Sequence, residues 1–351
     1  MLIKEIKIKF YYKNYLLKFF ISIFFYKFLK SYYHHPKISI FMTIYNMQKY
    51  LNNSLLNIQN QTFKDIEIVA INDFSNDSSL EIIKNFAKKD NRIKIINNKK
   101  NHGLLYSRAM GILHSSGDYL MNFDADDELV GQDALEFLYN KTIISKADII
   151  SFDFLSPKRH FNNPCNYFDD ILKQPELFES IYNKNNGLID FFIWNKLIKK
   201  EIYLKALELF KQYIYSDKKW NYHEDNIWSI LVNKLASSKL CVNKPIYKYN
   251  NINNSLMNIR NSELEINNII YRLEMIGKIY NNEKNDKYMI FECISTSKMI
   301  YFNSKLKKYI KSNSYLRNTS NHLFKNCINN YKIPEGDKKY IMNLVKFFNE
   351  F

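Results

Sequence analysis

From residue 36 onward the chain alternates short apolar runs with amphipathic stretches. The runs are Ile38–Thr43, Ile66–Ile71, Arg92–Ile96, Tyr119–Phe123 and Asp148–Phe154. Between them, apolar residues recur at helical spacing over about 47–61, 77–89, 103–115 and 131–146. Strands alternating with helices in this way predict an α/β fold: a mostly parallel central sheet with helices on both faces. Ligands of such sheets bind beyond the carboxyl ends of the strands. The residues standing there are polar: Tyr45-Asn46, Asn72-Asp73 and Asp124-Ala125-Asp126-Asp127.

A region of mixed character follows to about residue 255, and the rest reads as helical and basic. The pattern divides the chain into residues 1–36, 37–255 and 256–351. The first segment carries one apolar run, Phe19–Tyr26, between Lys18 and Lys27. A membrane-spanning helix needs about 20 apolar residues, so this run does not span. No small-residue cleavage site follows it, which argues against a signal peptide. Lysines interleaved with aromatics predict a helix that lies in a membrane interface or packs on the domain, and both readings stand.

Charge sharpens the picture. The formal charge is +16, and 46% of the residues are hydrophobic, enough for a large core. Residues 1–37 hold eight lysines and the single acid Glu5, and residues 298–332 hold eight Lys or Arg and no acid. Charge gathered in two segments predicts an anionic partner surface. The four cysteines (Cys165, Cys241, Cys293, Cys327) lie far apart with no metal-ligand spacing. That scatter predicts reduced thiols and a cytoplasmic protein.

The chemistry centres on Asp124-x-Asp126-Asp127 after the run Tyr119–Phe123. Carboxylates so placed can hold one hard cation through oxygen. An acidic turn capping the next helix is the competing reading. Order and spacing then add a resemblance. Ile38–Asn46 with Tyr50-Leu51, Asn72-Asp73-Phe74-Ser75, Asn101-x-Gly103 with Arg108-x-x-Gly111, and Asp124-x-Asp126-Asp127 follow one another within about 90 residues. Together they resemble the family 2 glycosyltransferases, and among them the enzymes of bacterial surface-polysaccharide and lipooligosaccharide synthesis. The match is strong over about 37–155 and looser over about 190–255.

The resemblance implies a GT-A fold, which is Rossmann-like, and an inverting transfer of sugar from a nucleotide-diphosphate donor. Thr43, Tyr45, Asn46 and Asp73 would line the nucleoside pocket, with Asp73 reading the base edge. Arg108 would reach the diphosphate, Asp124 would sit near ribose and metal, and Asp126 would be the main ligand of a divalent metal, Mg2+ or Mn2+. In Tyr222-His223-Glu224-Asp225, Asp225 would be the general base and Glu224 its acceptor-binding or orienting neighbour. His223 has no partner at i+4 and is at most an outlying neighbour. Trp194-Asn195-Lys196-Leu197 is similar to a segment of the same family, although a buried packing role suits Trp194 better. Thr43, Asn72 and Phe74 depart from the usual proline, acid and glycine of the nucleoside pocket, and Ala109 from a frequent asparagine. The processive Q-x-x-R-W element is absent, so single addition is expected.

The expected donor is a UDP-sugar, the acceptor a glycan or lipid-linked sugar in lipopolysaccharide or capsule synthesis, and the place the inner face of the cytoplasmic membrane. An anionic membrane surface is a candidate partner. Nucleic acid is not, since carboxylates at the strand ends repel phosphate without a metal. Two alternatives remain. A sugar nucleotidyltransferase needs a glycine-rich phosphate loop after the first strand, and Thr43-Ile44-Tyr45-Asn46 offers none. An inactive membrane-associated carbohydrate- or nucleotide-binding protein would lack the metal carboxylates or the base, yet Asp124, Asp126 and Asp225 are present.

Overall fold

The computed structural model describes residues 35–156, 171–174, 177, 192–214, 221, 224–250, 307–308, 311–312, 314–330, 333 and 335–349. The basic N-terminal run, His223 and all of 251–306 lie outside the described residues. Residues Lys37–Phe351 form one compact unit.

The alternating pattern folds as expected. Strands β1 (Ile38–Ile44), β2 (Ile66–Asn72), β3 (Ile93–Asn97) and β4 (Tyr119–Asp124) are joined by α1 (Leu51–Gln59), α2 (Ser79–Ala87) and α3 (Leu104–His114). Next come β5 (Glu128–Leu129), α4 (Ala134–Ser145), β6 (Ile149–Leu155), β7 (Ile171–Lys173) and β8 (Lys196–Lys199). The remainder is α5 (Lys200–Ile214), α6 (Glu224–Leu235), β9 (Ser238–Lys248), α7 (Ser314–Asn330) and α8 (Glu335–Asn349).

The strands form one sheet in the order β3-β2-β1-β4-β8-β6-β9-β5, with β7 also on β9. β3, β2, β1 and β4 run parallel, β6 runs parallel to β9, and β8 inserts antiparallel between β4 and β6. Side chains alternate between two cores, as strand geometry requires. Ile38, Ile40, Met42 and Ile44 pack with α1 and α4, whereas Phe41, Val69 and Ile71 pack with α3, α5 and α6. The second of these cores also takes Phe324 and Cys327 of α7 and Ile341, Leu344 and Phe348 of α8. Gly111 lets α3 lie close on the sheet, because a Cβ there would stand 2.7 Å from the Phe41 ring.

Two expectations need comment. Cys241 and Cys327 each take part in a disulfide, and among the described residues no cysteine is free. This corrects the reduced thiols predicted from spacing, since distance along the chain does not limit approach in space. No described helix is long and apolar enough to cross a membrane.

Candidate active site

Register places the polar strand ends side by side. Thr43 pairs with Asp124, Ile44 with Asn72, and Asn72 with Asn97. Beyond them, the loops after β1 and β2 are tied together. The Asn46 N–H donates to Ser75 Oγ at 3.1 Å, the Asn76 N–H to Asn46 Oδ1 at 2.8 Å, and the Met47 N–H to Ser79 Oγ at 2.8 Å. Thr43 is nearly buried beneath them, and Tyr45 is exposed.

Asp73 is buried and organises the next loop. Its carboxylate accepts from Asn98 Nδ2 (2.8 Å), the His102 N–H (2.9 Å) and the Gly103 N–H (2.8 Å). Gly103, with φ 89°, turns the chain into α3, and the next N–H, of Leu104, donates to Asn221 Oδ1 at 3.0 Å. A carboxylate has about four acceptor sites, so one remains for a ligand.

From α3, Arg108 reaches across the site. Its guanidinium donates to Asn122 Oδ1 (3.1 Å), Asp124 Oδ1 (3.4 Å) and Glu224 Oε1. Arg108 and Glu224 are both buried. Burial works against the charge of Arg108, but Glu224, Asp124 and Asp225 outweigh it and hold the guanidinium protonated. Burial pushes Glu224 up to about 7 against the pull of Arg108, and Asp225 adds to the rise. Three predicted residues, Arg108, Asp124 and Glu224, thus share one contact cluster, and Asp225 acts on it through its charge. The Asp225 carboxylate accepts from the Asn226 N–H at 2.9 Å. The sequence assigns Arg108 to the diphosphate; in the fold its guanidinium meets carboxylates.

The acidic turn is held from β9. Tyr247 Oη accepts from the Asp124 N–H (3.1 Å) and donates to Asp127 Oδ2 (2.8 Å). The Asn250 N–H donates to Asp127 Oδ1 at 2.7 Å, and Asn250 Nδ2 to the Asp126 carbonyl at 2.9 Å. Asp127 is therefore a strut, pushed up to about 9 by burial and by Asp126 and Asp124. Asp126 is pushed up to about 7 by burial and by the charge of Asp124. Crowded carboxylates that raise one another suit a hard cation. Among the described residues no three His, Cys, Asp or Glu side chains converge on one point. Trp194 is buried, stacked on Tyr247 with centroids 4.9 Å apart, as its packing role predicts.

Tyr247, Asn250, Asn98 and Asn221 escape the sequence reading, for each is an ordinary polar or aromatic residue until the fold brings it to the site. Asn122 leaves one trace, a polar side chain inside the apolar run Tyr119–Phe123.

Comparison with known proteins agrees with this geometry. The model of glycosyl transferase family 2 matches residues 39–196. Glycosyltransferase GlyA of Streptococcus pneumoniae serotype 4 is 33% identical over 227 residues, covering 61% of this chain and 30% of that protein. The cholesterol galactosyltransferase of Borreliella burgdorferi is 32% identical over 185 residues, covering 49% of this chain and 50% of that one. The chain thus spans half or less of the length of these two relatives. S. aureus TarS 1–349, solved with UDP-GlcNAc, superposes with a TM-score of 0.64 at 15% identity, covering 89% of each chain. Residues 39–196, which include the acidic turn at the end of β4, thus carry a glycosyl transferase family 2 domain.

Proposed function

We propose that the chain is a metal-dependent, inverting glycosyltransferase that adds a single sugar from a nucleotide-diphosphate donor, a UDP-sugar, to a glycan or lipid-linked acceptor in cell-surface polysaccharide synthesis. One observation carries the reading: Arg108 joins Asp124, at the end of β4, to Glu224, in the first turn of α6. That link supports a single site for donor and acceptor chemistry, with the Glu-Asp pair beside the acidic turn.

Asp126, with Asp124, would hold the divalent metal, Mg2+ or Mn2+. When bound, the ion neutralises the diphosphate and stabilises it as it departs. Thr43, Tyr45, Asn46 and Asp73 would bind the nucleoside, and Arg108 sets the local charge that the diphosphate meets. Asp225 takes the proton from the acceptor hydroxyl as the new bond forms. Glu224, fixed by Arg108, holds the start of α6 and so the direction of Asp225. The TarS neighbour with UDP-GlcNAc supports a UDP-sugar donor, and the cholesterol galactosyltransferase supports an acceptor of lipid character.

The basic segments 1–37 and 298–332 support association with an anionic membrane surface. Cytoplasmic placement loses its cysteine argument, because Cys241 and Cys327 are disulfide-bonded. The reading is tested by titrating the purified protein with UDP-, GDP- and dTDP-sugars, each with Mn2+ and with chelator. Metal-dependent binding of at least one UDP-sugar is expected; binding of none, or equal binding in chelator, contradicts it.

A further inference from the structure

Phe74 stands out in two ways. Its φ is 62°, in the left-handed region that bulky side chains rarely occupy. The residue is 49% exposed and comes directly after the buried Asp73 at the carboxyl end of β2. The loop is not free to relax. The Asp73 N–H donates to the Ile44 carbonyl at 2.8 Å and the Ser75 N–H to Asn72 Oδ1 at 3.3 Å. Ser75 and Asn76 are also tied to Asn46. With both flanks of Phe74 fixed, the fold maintains the strain.

The same bonds bring the loop after β1 alongside, where Tyr45 is 43% exposed and Asn46 has φ 56°. Two exposed aromatic residues therefore stand on adjoining loops at the ends of neighbouring parallel strands, in the segments that follow Thr43 and Asp73. An exposed ring at a strained position adds little to the core, and glycine would hold the same backbone without strain. What the ring does provide is a flat apolar face next to the buried Asp73.

We propose that Phe74 contacts the nucleobase of the donor, adding to Tyr45 a second aromatic face on which the base stacks. The inference rests on the donor-site reading given above. Stacking on a ring favours any aromatic base over none, because every base has a π-face. Finer choice among bases falls to polar groups such as Asp73.

The test is a titration of the full-length chain, with Mn2+, by UDP and by ribose 5-diphosphate, which lacks the base. The variants are Phe74→Gly and Phe74→Tyr. Phe74→Gly is expected to weaken UDP about tenfold, in the range of one lost base–aromatic contact. Its affinity for the base-free probe is expected to stay unchanged. Its melting temperature should hold or rise, since glycine adopts a φ of 62° freely. Phe74→Tyr should keep UDP affinity within about twofold. Unchanged UDP affinity in Phe74→Gly, or an equal loss for both probes, overturns the role of Phe74 and leaves the donor site standing. If the unaltered chain binds neither probe, the donor-site reading itself fails and this inference with it.

Discussion

Arg108 and Glu224 meet as a buried ion pair, although they lie on different helices and 116 positions apart. The same guanidinium also contacts Asp124. Such a pair is weak evidence for stability, because desolvation offsets most of its attraction. Its effect here is geometric: it fixes the first turn of α6 against the end of β4.

Removing one partner leaves a buried charge without its counter-ion. Arg108→Ala is therefore expected to destabilise the fold by about 3–5 kcal/mol, measured by urea denaturation. Replacing both partners, as in Arg108→Met with Glu224→Leu, should restore most of that stability. Activity should stay lost in the double variant. Full activity there would mean that the pair has no positioning role.

Asp225→Asn removes the proposed base, and the donor site should remain intact. Turnover should fall by about 10²–10⁴, with affinity for the nucleotide donor unchanged. A collapse of donor affinity instead would assign Asp225 to the nucleotide site and make Glu224 the next candidate base.

As the proposed metal ligand, Asp126 would link metal binding to pH. Burial and Asp124 raise its carboxyl to about 7, so below that pH the metal must displace a proton. Metal affinity should therefore rise with pH up to about 7, and binding near pH 6 should release protons, read by calorimetry in two buffers of different ionisation enthalpy. Asp126→Ala should abolish both the metal binding and its pH dependence.

Asp90 provides a control far from the chemistry. Bonds from the Arg92 side chain and backbone and from Gln59 hold its carboxyl down at about 2. A depressed carboxyl stabilises the fold above the unfolded value of about 4, and that contribution disappears as pH falls toward 2. Asp90→Asn should cost about 1–2 kcal/mol at pH 7 and nothing near pH 2, measured by denaturation at each pH.

How much of this the sequence reveals depends on the range of the interaction. β1 to β4, β6 and α1 to α4 are visible because each repeats one apolar period in a local window. β8 and β9 are not. Lys196 and Lys239 are fully buried within them, Pro245 interrupts β9, and the pairing of β6 with β9 shifts register around Asp153. A strand held by distant partners can carry residues that a local pattern reads as loop. The site divides in the same way. Asp124 and Asp126 announce themselves by spacing, and Glu224-Asp225 by resemblance. That Arg108 faces carboxylates, and that Tyr247 and Asn250 brace the acidic turn, depends on contacts of Arg108 with Glu224, of Tyr247 with Asp124 and of Asn250 with Asp127 that no local window contains.

The central claim is that Asp126 and Asp225 do different work in one sugar transfer. The most direct measurement is nucleoside diphosphate released with its best UDP-sugar and an acceptor glycan, compared among the unaltered chain, Asp126→Ala and Asp225→Asn, with Mn2+ and with chelator. The account predicts release by the unaltered chain with Mn2+ alone. It predicts no donor binding in Asp126→Ala, and donor binding with turnover lowered about 10²–10⁴-fold in Asp225→Asn. Equal release by all three proteins, or release that chelator leaves unchanged, would contradict it.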